Sequence, residues 1–233
     1  APANVERLFA GGLLSDLPKD LGLPLAYSYT QQPASVKLEL EQRQTEIRVT
    51  GTQKFIVSEA LLDAQVTLTY YIDFASSDKL RFSVPSSLDE KIHIDCANLK
   101  EKKKETAQEG RSIWELQLQE KTLGAVTVGI TFKQELAGLE PEKPMALALP
   151  LVRAEDAAAQ QGHLAVLKDG SLEIAAKPEN LEVLDAAQLP AALRERQVYL
   201  GYQYIRPNYG LTLSLTRHIP VQIISIEEER SHA

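Results

Sequence analysis

Apolar and polar residues alternate along most of this chain, the pattern typical of β-strands with one buried face. In the clearest run, 64–74, every even-numbered residue is apolar, while Gln65, Thr67 and Thr69 face the opposite side. We expect the even-numbered residues to be buried and the polar ones to be more exposed. Similar alternation occurs at 37–40, 79–84, 91–95, 113–118, 125–132, 163–167, 172–175, 198–205, 211–215 and 221–226.

Short segments rich in turn-forming residues separate these runs. They lie at 75–78, 85–87, 168–170 and 206–210, and Pro207-Asn208 suits the centre of a type I turn. Helical spacing is confined to short stretches at 4–14, 154–160 and 190–196. The sequence therefore predicts an all-β fold of the sandwich or barrel kind, with helix limited to short turns.

One motif occurs twice, near the two ends of the chain. Leu-x-Tyr-x-Tyr at 25–29 and 200–204 is followed, at the same spacing, by strand-like segments at 36–40 and 211–215. The two copies predict equivalent hairpins. A chain that begins and ends on one motif is typical of a single period cut from a tandem array.

A segment rich in proline and charge at 136–144 marks the predicted internal boundary. We interpret residues 1–20 as a lead-in from a preceding repeat. Residues 21–137 form one predicted β-sandwich unit, and 138–233 form a second that ends in the repeated Tyr-x-Tyr hairpin. The alternative is one continuous sandwich that spans both halves.

Composition excludes several classes of function. The formal net charge of −7 argues against a nucleic-acid partner, which needs a basic surface. No apolar run approaches the roughly 20 residues of a membrane span, so we expect no membrane contact by this fragment. Its first residues lack the charged and apolar regions of a signal peptide. The single cysteine, Cys96, excludes an intramolecular disulfide and a multi-cysteine metal site.

Candidate chemistry is sparse. No catalytic or nucleotide-binding motif is present, and the four histidines are dispersed. The segment 93–96 is nearest to a ligand cluster, but in a strand His93 and Asp95 share one face while Cys96 points to the other. We therefore predict no catalytic residue, no metal, no cofactor and no enzymatic activity.

Two further features favour structural roles over binding. The lysine-rich run 100–105 is interrupted by glutamates and has no interleaved aromatic residues. It predicts a solvated strand edge or a long hairpin rather than a nucleic-acid patch, and lysines on an edge strand discourage aggregation. Trp114 lies on the apolar side of its alternating run, so we interpret it as a core anchor.

Several segments resemble β-sandwich modules repeated in the large extracytoplasmic regions of uncharacterised bacterial membrane-anchored proteins. They are Val-Thr-Leu-Thr-Tyr-Tyr-Ile at 66–72 with 80–85, Leu-Pro at 189–190 before the second Tyr-x-Tyr motif, and Leu-Ser-Leu-Thr-Arg-His at 213–218. The resemblance extends over roughly residues 60–226. It implies a non-catalytic module, periplasmic or extracellular, in a parent anchored to the membrane, and it brings no functional residues.

The tyrosines of the repeated motif admit two interpretations. In the first, they pack in the core or at a module junction, and the chain is a structural or protein-interaction module whose partners are neighbouring repeats or other proteins. In the second, exposed tyrosines stack on sugar rings, and the chain is a carbohydrate-binding module with glycan partners. The second requires the tyrosines and the arginine to be exposed on one surface, and its candidate residues are Tyr204, Arg206, Asn208 and Tyr209.

Overall fold

The alternating pattern does produce strands, and they dominate the chain. A computed structural model describes residues 43–106, 110–168, 170, 172–195 and 198–218. The first copy of the repeated motif, with Tyr27 and Tyr29, lies outside the described residues, so the equivalence of the two copies stays a prediction.

The described residues form strands joined by short turns, which confirms the all-β prediction. Their helical content is limited to 3₁₀ turns at Ser86–Leu88, Ala186–Gln188 and Ala191–Leu193, and no helix among them is long and apolar enough to span a membrane. The strands are β1 (Glu46–Val57), β2 (Leu61–Pro85), β3 (His93–Cys96), β4 (Leu99–Thr106), β5 (Arg111–Glu135), β6 (Met145–Ala148), β7 (Arg153–Ala154), β8 (Ala159–Lys168), β9 (Leu172–Glu179), β10 (Glu182–Leu184), β11 (Val198–Tyr204) and β12 (Gly210–Arg217).

The larger sheet has the strand order β10-β11-β8-β1-β2-β5-β3, with β4 beside β5 and β7 beside β2. Its centre is β1, which pairs antiparallel with β2 and parallel with β8. Because β1 and β8 come from opposite sides of residue 137, hydrogen bonds of one sheet cross the predicted domain boundary. The division into 21–137 and 138–233 stays a prediction.

The two longest strands, β2 and β5, bend together instead of ending. Their pairing shifts register between Ile72 and Ser77, where Phe74 has a φ of +67°, and Gly124 on the facing strand has a φ of +94°. The turn predicted at 75–78 is therefore wrong. The irregularities of β2 and β5 lie opposite each other, so the pairing of the two strands resumes beyond them, as it does at a β-bulge.

The smaller sheet has the order β6-β12-β9. The predicted hairpin of β11 and β12 is wrong, because the two strands belong to different sheets and do not pair with each other. The segment 205–209 instead carries the chain from one sheet to the other. One hydrophobic core includes residues of both sheets, as expected for sandwich-like packing.

The two faces of the larger sheet differ sharply. On β2 the residues Val66, Leu68, Tyr70 and Ile72 are buried against the core, which confirms the predicted face assignment. We call this the inner face. The opposite, outer face is polar over much of β1 and β2, and it is covered at one end, where a second apolar cluster packs Leu189 and Leu193 on Ala165 and Leu167 of β8.

Candidate functional site

The inner face contains a buried polar cluster centred on Gln53 of β1. Its amide Nε2 donates to the Val152 carbonyl at 2.9 Å and to the Tyr209 hydroxyl at 2.6 Å. Its Oε1 accepts from the Val152 amide at 3.1 Å, and the Tyr209 hydroxyl also donates to the Val152 carbonyl at 2.9 Å. These bonds fix the chain that follows β6 and the segment before β12 to the middle of the larger sheet.

Tyr204 and Tyr209 stack inside this cluster. Their ring centroids are 3.9 Å apart with an interplanar angle of 12°, and each residue is only 1% exposed. The Tyr204 hydroxyl lies over two glycines, Gly51 of β1 and Gly162 of β8, which are partners in the parallel ladder. A Cβ on either would lie within 2.5 Å of that oxygen, so the ring requires glycine at both positions.

Burial shapes the acid–base properties of the cluster. It raises the pKa of Tyr204 above its ordinary range and that of Tyr209 well above it, so both hydroxyls remain protonated at neutral pH. Burial and the nearby Arg153 charge lower the pKa of Arg111 to about 10. The Arg111 guanidinium donates to the carbonyls of Ser83 and Leu151, which ties β5 to the segment after β6.

Gln160 of β8 is buried beside this cluster and is 3% exposed. Neither its amide oxygen nor its amide nitrogen has a hydrogen-bond partner of good geometry among the described residues, and the same holds for the Tyr204 hydroxyl. The cluster therefore combines one fully bonded glutamine, Gln53, with one that is not. Nothing in this arrangement pairs a nucleophile with a base.

The outer face carries a groove with a volume of about 530 Å³. It lies where β1, β2 and β8 run side by side, and Ile205 lines it from the segment after β11. Two of its residues, Tyr71 and Ile205, are large hydrophobic side chains exposed to 42% and 66%. The described residues that line it are Arg48, Val49, Thr50, Tyr71, Ala159, Gln160, Gln161 and Ile205.

The sheet register determines the polar lining of this outer groove. Thr50 faces Gln161 across the parallel β1–β8 ladder, and Arg48 faces Tyr71 across the antiparallel β1–β2 ladder. The Arg48 guanidinium donates from Nε and Nη2 to the Asp73 carboxylate at 3.1 and 2.7 Å. This pairing raises the pKa of Arg48, which keeps the side chain cationic.

A second groove, of about 340 Å³, adjoins the first through the shared residue Ile205. Arg206 and Asn208 line it, together with Asn180 and Glu182 from the β9–β10 region. Asn180 donates from Nδ2 to the Asn208 carbonyl at 2.7 Å, which holds the turn between the two sheets.

The four predicted ligand-binding residues are thus divided between two settings. Arg206 and Asn208 are exposed and line one groove, whereas Tyr204 and Tyr209 are stacked in the core. The carbohydrate-binding interpretation required exposed tyrosines, and the burial of both rings contradicts it. The residues of the outer groove were not predicted, because Arg48 and Thr50 on β1 and Gln161 on β8 form no motif and lie more than 100 residues apart in the sequence.

Other sequence-based interpretations can be checked directly. His93 and Asp95 are exposed on one face of β3 and Cys96 is half-buried. Within the described ranges, no group of three or more His, Cys, Asp or Glu residues is placed to hold a metal ion. The lysine-rich run forms β4, which among the described strands pairs only with β5, so the prediction of a strand edge or long hairpin is confirmed. Trp114 is buried, as expected of a core residue.

Comparisons with known proteins give matches in fold only. No protein-family profile matches the chain, and no curated protein matches it in sequence. Yeast leukotriene A4 hydrolase is 12% identical with a TM-score of 0.39, over 84% of this chain and 32% of that one. An M1 zinc metallopeptidase from Deinococcus radiodurans is 12% identical with a TM-score of 0.37, over 76% of this chain and 43% of that one. The chain spans less than half of either.

These matches correct the predicted function. The matching structures named here are a leukotriene A4 hydrolase and an M1 zinc metallopeptidase, not modules of a repeat array, and on this finding the prediction of a non-catalytic extracytoplasmic structural or interaction module is wrong. A likeness at this identity concerns the fold alone, and it does not make the chain an enzyme. The periplasmic or extracellular location, the membrane-anchored parent and the protein or glycan partners stay predictions.

Proposed function

We propose that this β-domain binds a small ligand that carries a carboxylate beside an apolar group, and that the ligand lies in the outer groove. The observation that supports this is the composition of the lining. Arg48, Thr50 and Gln161 supply hydrogen-bond donors, and Tyr71 and Ile205 supply exposed apolar surface next to them.

The dimensions and charge of the groove suit such a ligand. A volume of about 530 Å³ lies in the usual range for small-molecule sites, roughly 300–1,000 Å³. None of the described lining residues is acidic, so an anionic group entering the groove meets no like charge in its lining. A guanidinium has five N–H donors, and Arg48 uses two nitrogens on Asp73, which orients the group and leaves other donors for a ligand.

The test uses two probes that differ only in the acid. N-acetyl-leucine has a carboxylate and N-acetyl-leucinamide has a neutral amide. Both are titrated into the ¹⁵N-labelled chain while amide resonances are followed. We expect N-acetyl-leucine to shift resonances of the groove residues, and to bind more tightly than the amide.

A matched pair of variants locates the effect. Arg48→Met keeps the aliphatic stem and should lower the affinity for N-acetyl-leucine at least about 10-fold, the effect of one charged hydrogen bond. Arg217→Met is the control, because Arg217 is similarly exposed and paired with Glu59 at 2.9 Å but lies outside the groove. The proposal fails if neither probe shifts the groove resonances, or if Arg48→Met binds as the wild type does.

A further inference from the structure

Two arginines converge on Ser83 of β2 from the strands on either side of it. Ser83 faces Arg153 across the β2–β7 ladder, and Pro85 faces Arg111 across the β2–β5 ladder. Residues opposite each other in a ladder, and residues two apart in one strand, point to the same face, so both arginines lie on the Ser83 face of β2. Arg111 donates from Nε to the Ser83 hydroxyl at 3.1 Å and from Nη2 to the Ser83 carbonyl at 2.9 Å.

Neither arginine forms a salt bridge with a carboxylate among the described residues. Their other hydrogen bonds go to main-chain carbonyls. Arg111 donates to the Leu151 carbonyl at 2.9 Å, and Arg153 donates to the Tyr209 carbonyl at 2.7 Å. The two guanidinium groups are therefore held in place by neutral acceptors.

Arg81, two residues earlier on the same face of β2, is paired differently. Its guanidinium contacts three carboxylates, those of Asp156 at 2.6 Å, of Glu115 at 3.9 Å and of Glu105. Within the described part of the chain, the fold thus supplies carboxylates to this arginine and none to the two arginines beside Ser83.

A half-buried pair of cations without a bound anion is unfavourable. Burial and the Arg153 charge lower the pKa of Arg111 to about 10, although the charge of Glu155 acts in the opposite direction. The Arg153 Nε is buried and has no hydrogen-bond acceptor among the described residues. An anion bound between the two guanidinium groups would offset their repulsion and supply that acceptor.

The remaining donors suit an anion with several oxygens. Of the five N–H groups of each guanidinium, Arg111 uses three and Arg153 uses one. The Nη1 atoms of both arginines have no acceptor among the described residues, and neither atom is fully buried. Planar arginine forks match the oxygens of phosphate and sulfate, and a dianion matches the charge of two guanidinium groups.

We propose that Arg111 and Arg153 together bind a phosphate or sulfate group, at a site separate from the outer groove. The group lies beside Ser83, accepts N–H bonds from both guanidinium groups and neutralises their charges. Because the same guanidinium groups hold the Leu151 and Tyr209 carbonyls, the bound anion also stabilises the attachment of these two segments to the larger sheet.

The test is a titration of the ¹⁵N-labelled chain with sodium sulfate, followed at the arginine Nε–H resonances. Sodium chloride at the same ionic strength is the reference, because screening by the two salts is then alike. We expect sulfate, and not chloride, to shift the Arg111 and Arg153 resonances until they saturate. A parallel titration with phenyl phosphate distinguishes the source of the anion, because binding of this ester indicates a phosphate carried by a larger molecule and binding of sulfate alone indicates a free anion.

Variants of Arg153 locate the site, since this side chain bonds a single carbonyl whereas Arg111 bonds two. Arg153→Met should lower the affinity for sulfate at least about 10-fold, the effect of one charged hydrogen bond. Arg153→Lys keeps the charge without the fork and should lower it less. Arg217→Met removes the same charge from the smaller sheet and should bind sulfate as the wild type does. The inference fails if sulfate shifts neither resonance, if chloride shifts them equally, or if Arg153→Met and Arg217→Met lose the same affinity.

Discussion

The two faces of the larger sheet carry the same residue types in opposite settings. On β8, Gln160 is 3% exposed on the inner face, and its neighbour Gln161 is exposed on the outer face. Tyrosine divides in the same way, since Tyr209 is buried and Tyr71 is 42% exposed. The comparison teaches that residue type alone does not separate a buried structural position from a position in the proposed binding groove, and that strand register does.

Register has this effect because side chains alternate with a period of two. A shift of one residue in the β1–β8 ladder would turn the Gln161 side chain towards the core and the Gln160 side chain towards the outer face. Gly51 and Gly162 prevent such a shift, because the Tyr204 ring fits only over these two glycines. The buried aromatic pair thus fixes the register that presents Arg48 and Thr50 on the outer face.

The largest expected effect contrasts one tyrosine from each face. Tyr209→Ala removes a buried stacked ring and should destabilise the fold by about 3–5 kcal/mol, as for other large aromatic truncations. Tyr71→Ala, on the outer face, should cost less than about 1 kcal/mol. Urea unfolding of both variants checks this. Equal losses would contradict the division of the sheet into structural and binding faces.

A second test concerns the two glycines beneath the Tyr204 ring, Gly51 and Gly162. Gly51→Ala should cost about 1–3 kcal/mol by overpacking, because its Cβ would lie 2.3 Å from the Tyr204 hydroxyl. Adding Tyr204→Phe removes that oxygen and should restore most of the loss, since the next ring atom is 3.6 Å away.

Gly162→Ala is the matched control for this double mutant. Its Cβ would also lie 2.1 Å from the Gly51 carbonyl, a backbone atom, so Tyr204→Phe should not rescue it. Thermal unfolding of the four-variant cycle measures the coupling free energy. Rescue of neither glycine variant would show that the Tyr204 hydroxyl does not determine the requirement for glycine at 51. Rescue of both would show that the Gly51 carbonyl does not determine it at 162.

A third test compares the two buried glutamines. Gln53→Leu leaves the buried Val152 amide without its partner and should cost about 1–3 kcal/mol. Gln160→Leu replaces an amide that has no hydrogen-bond partner of good geometry among the described residues, so it should be neutral or stabilising. Chemical denaturation of both variants measures the two changes in unfolding free energy. A large loss for Gln160→Leu would mean that the amide is hydrogen-bonded in the folded protein, to the Tyr204 hydroxyl or to an ordered water molecule.

Much of the fold could be predicted from the sequence, because alternation depends on local spacing alone. The buried face of β2, the lysine-rich edge strand and the core position of Trp114 all follow from it. The pairing of strands does not. The turn at 75–78 proved to be a bulge shared by β2 and β5, and segments 200–204 and 211–215 entered different sheets. Both outcomes depend on partners far away in sequence.

The candidate site was harder to predict, since its residues come from three strands that only the folded sheet brings together. Arg48, Tyr71 and Gln161 each occupy an ordinary polar-face position, and no spacing rule connects them. The tyrosine motif attracted attention because it is repeated, but Tyr204 packs over glycines and Tyr209 bonds Gln53. Of the four predicted ligand-binding residues, all of them described, only Arg206 and Asn208 line a groove.

The smallest expected effect concerns exposed polar contacts, at His218. Its Nδ1 lies 3.2 Å from Glu142 and its Nε2 lies 2.7 Å from Glu173, and these carboxylates raise the pKa of the imidazole above 6.5. A raised pKa in the folded state stabilises the protein fully below the unfolded pKa, and the contribution is lost as pH rises through the folded pKa. The stability difference between the wild type and His218→Gln should therefore be greatest near pH 5.5 and fall towards pH 8.5. Urea unfolding at both pH values measures it. A stability difference that grows with pH would contradict the raised pKa of His218. A difference as large as that caused by Tyr209→Ala would contradict the view that exposed polar pairs contribute little to stability.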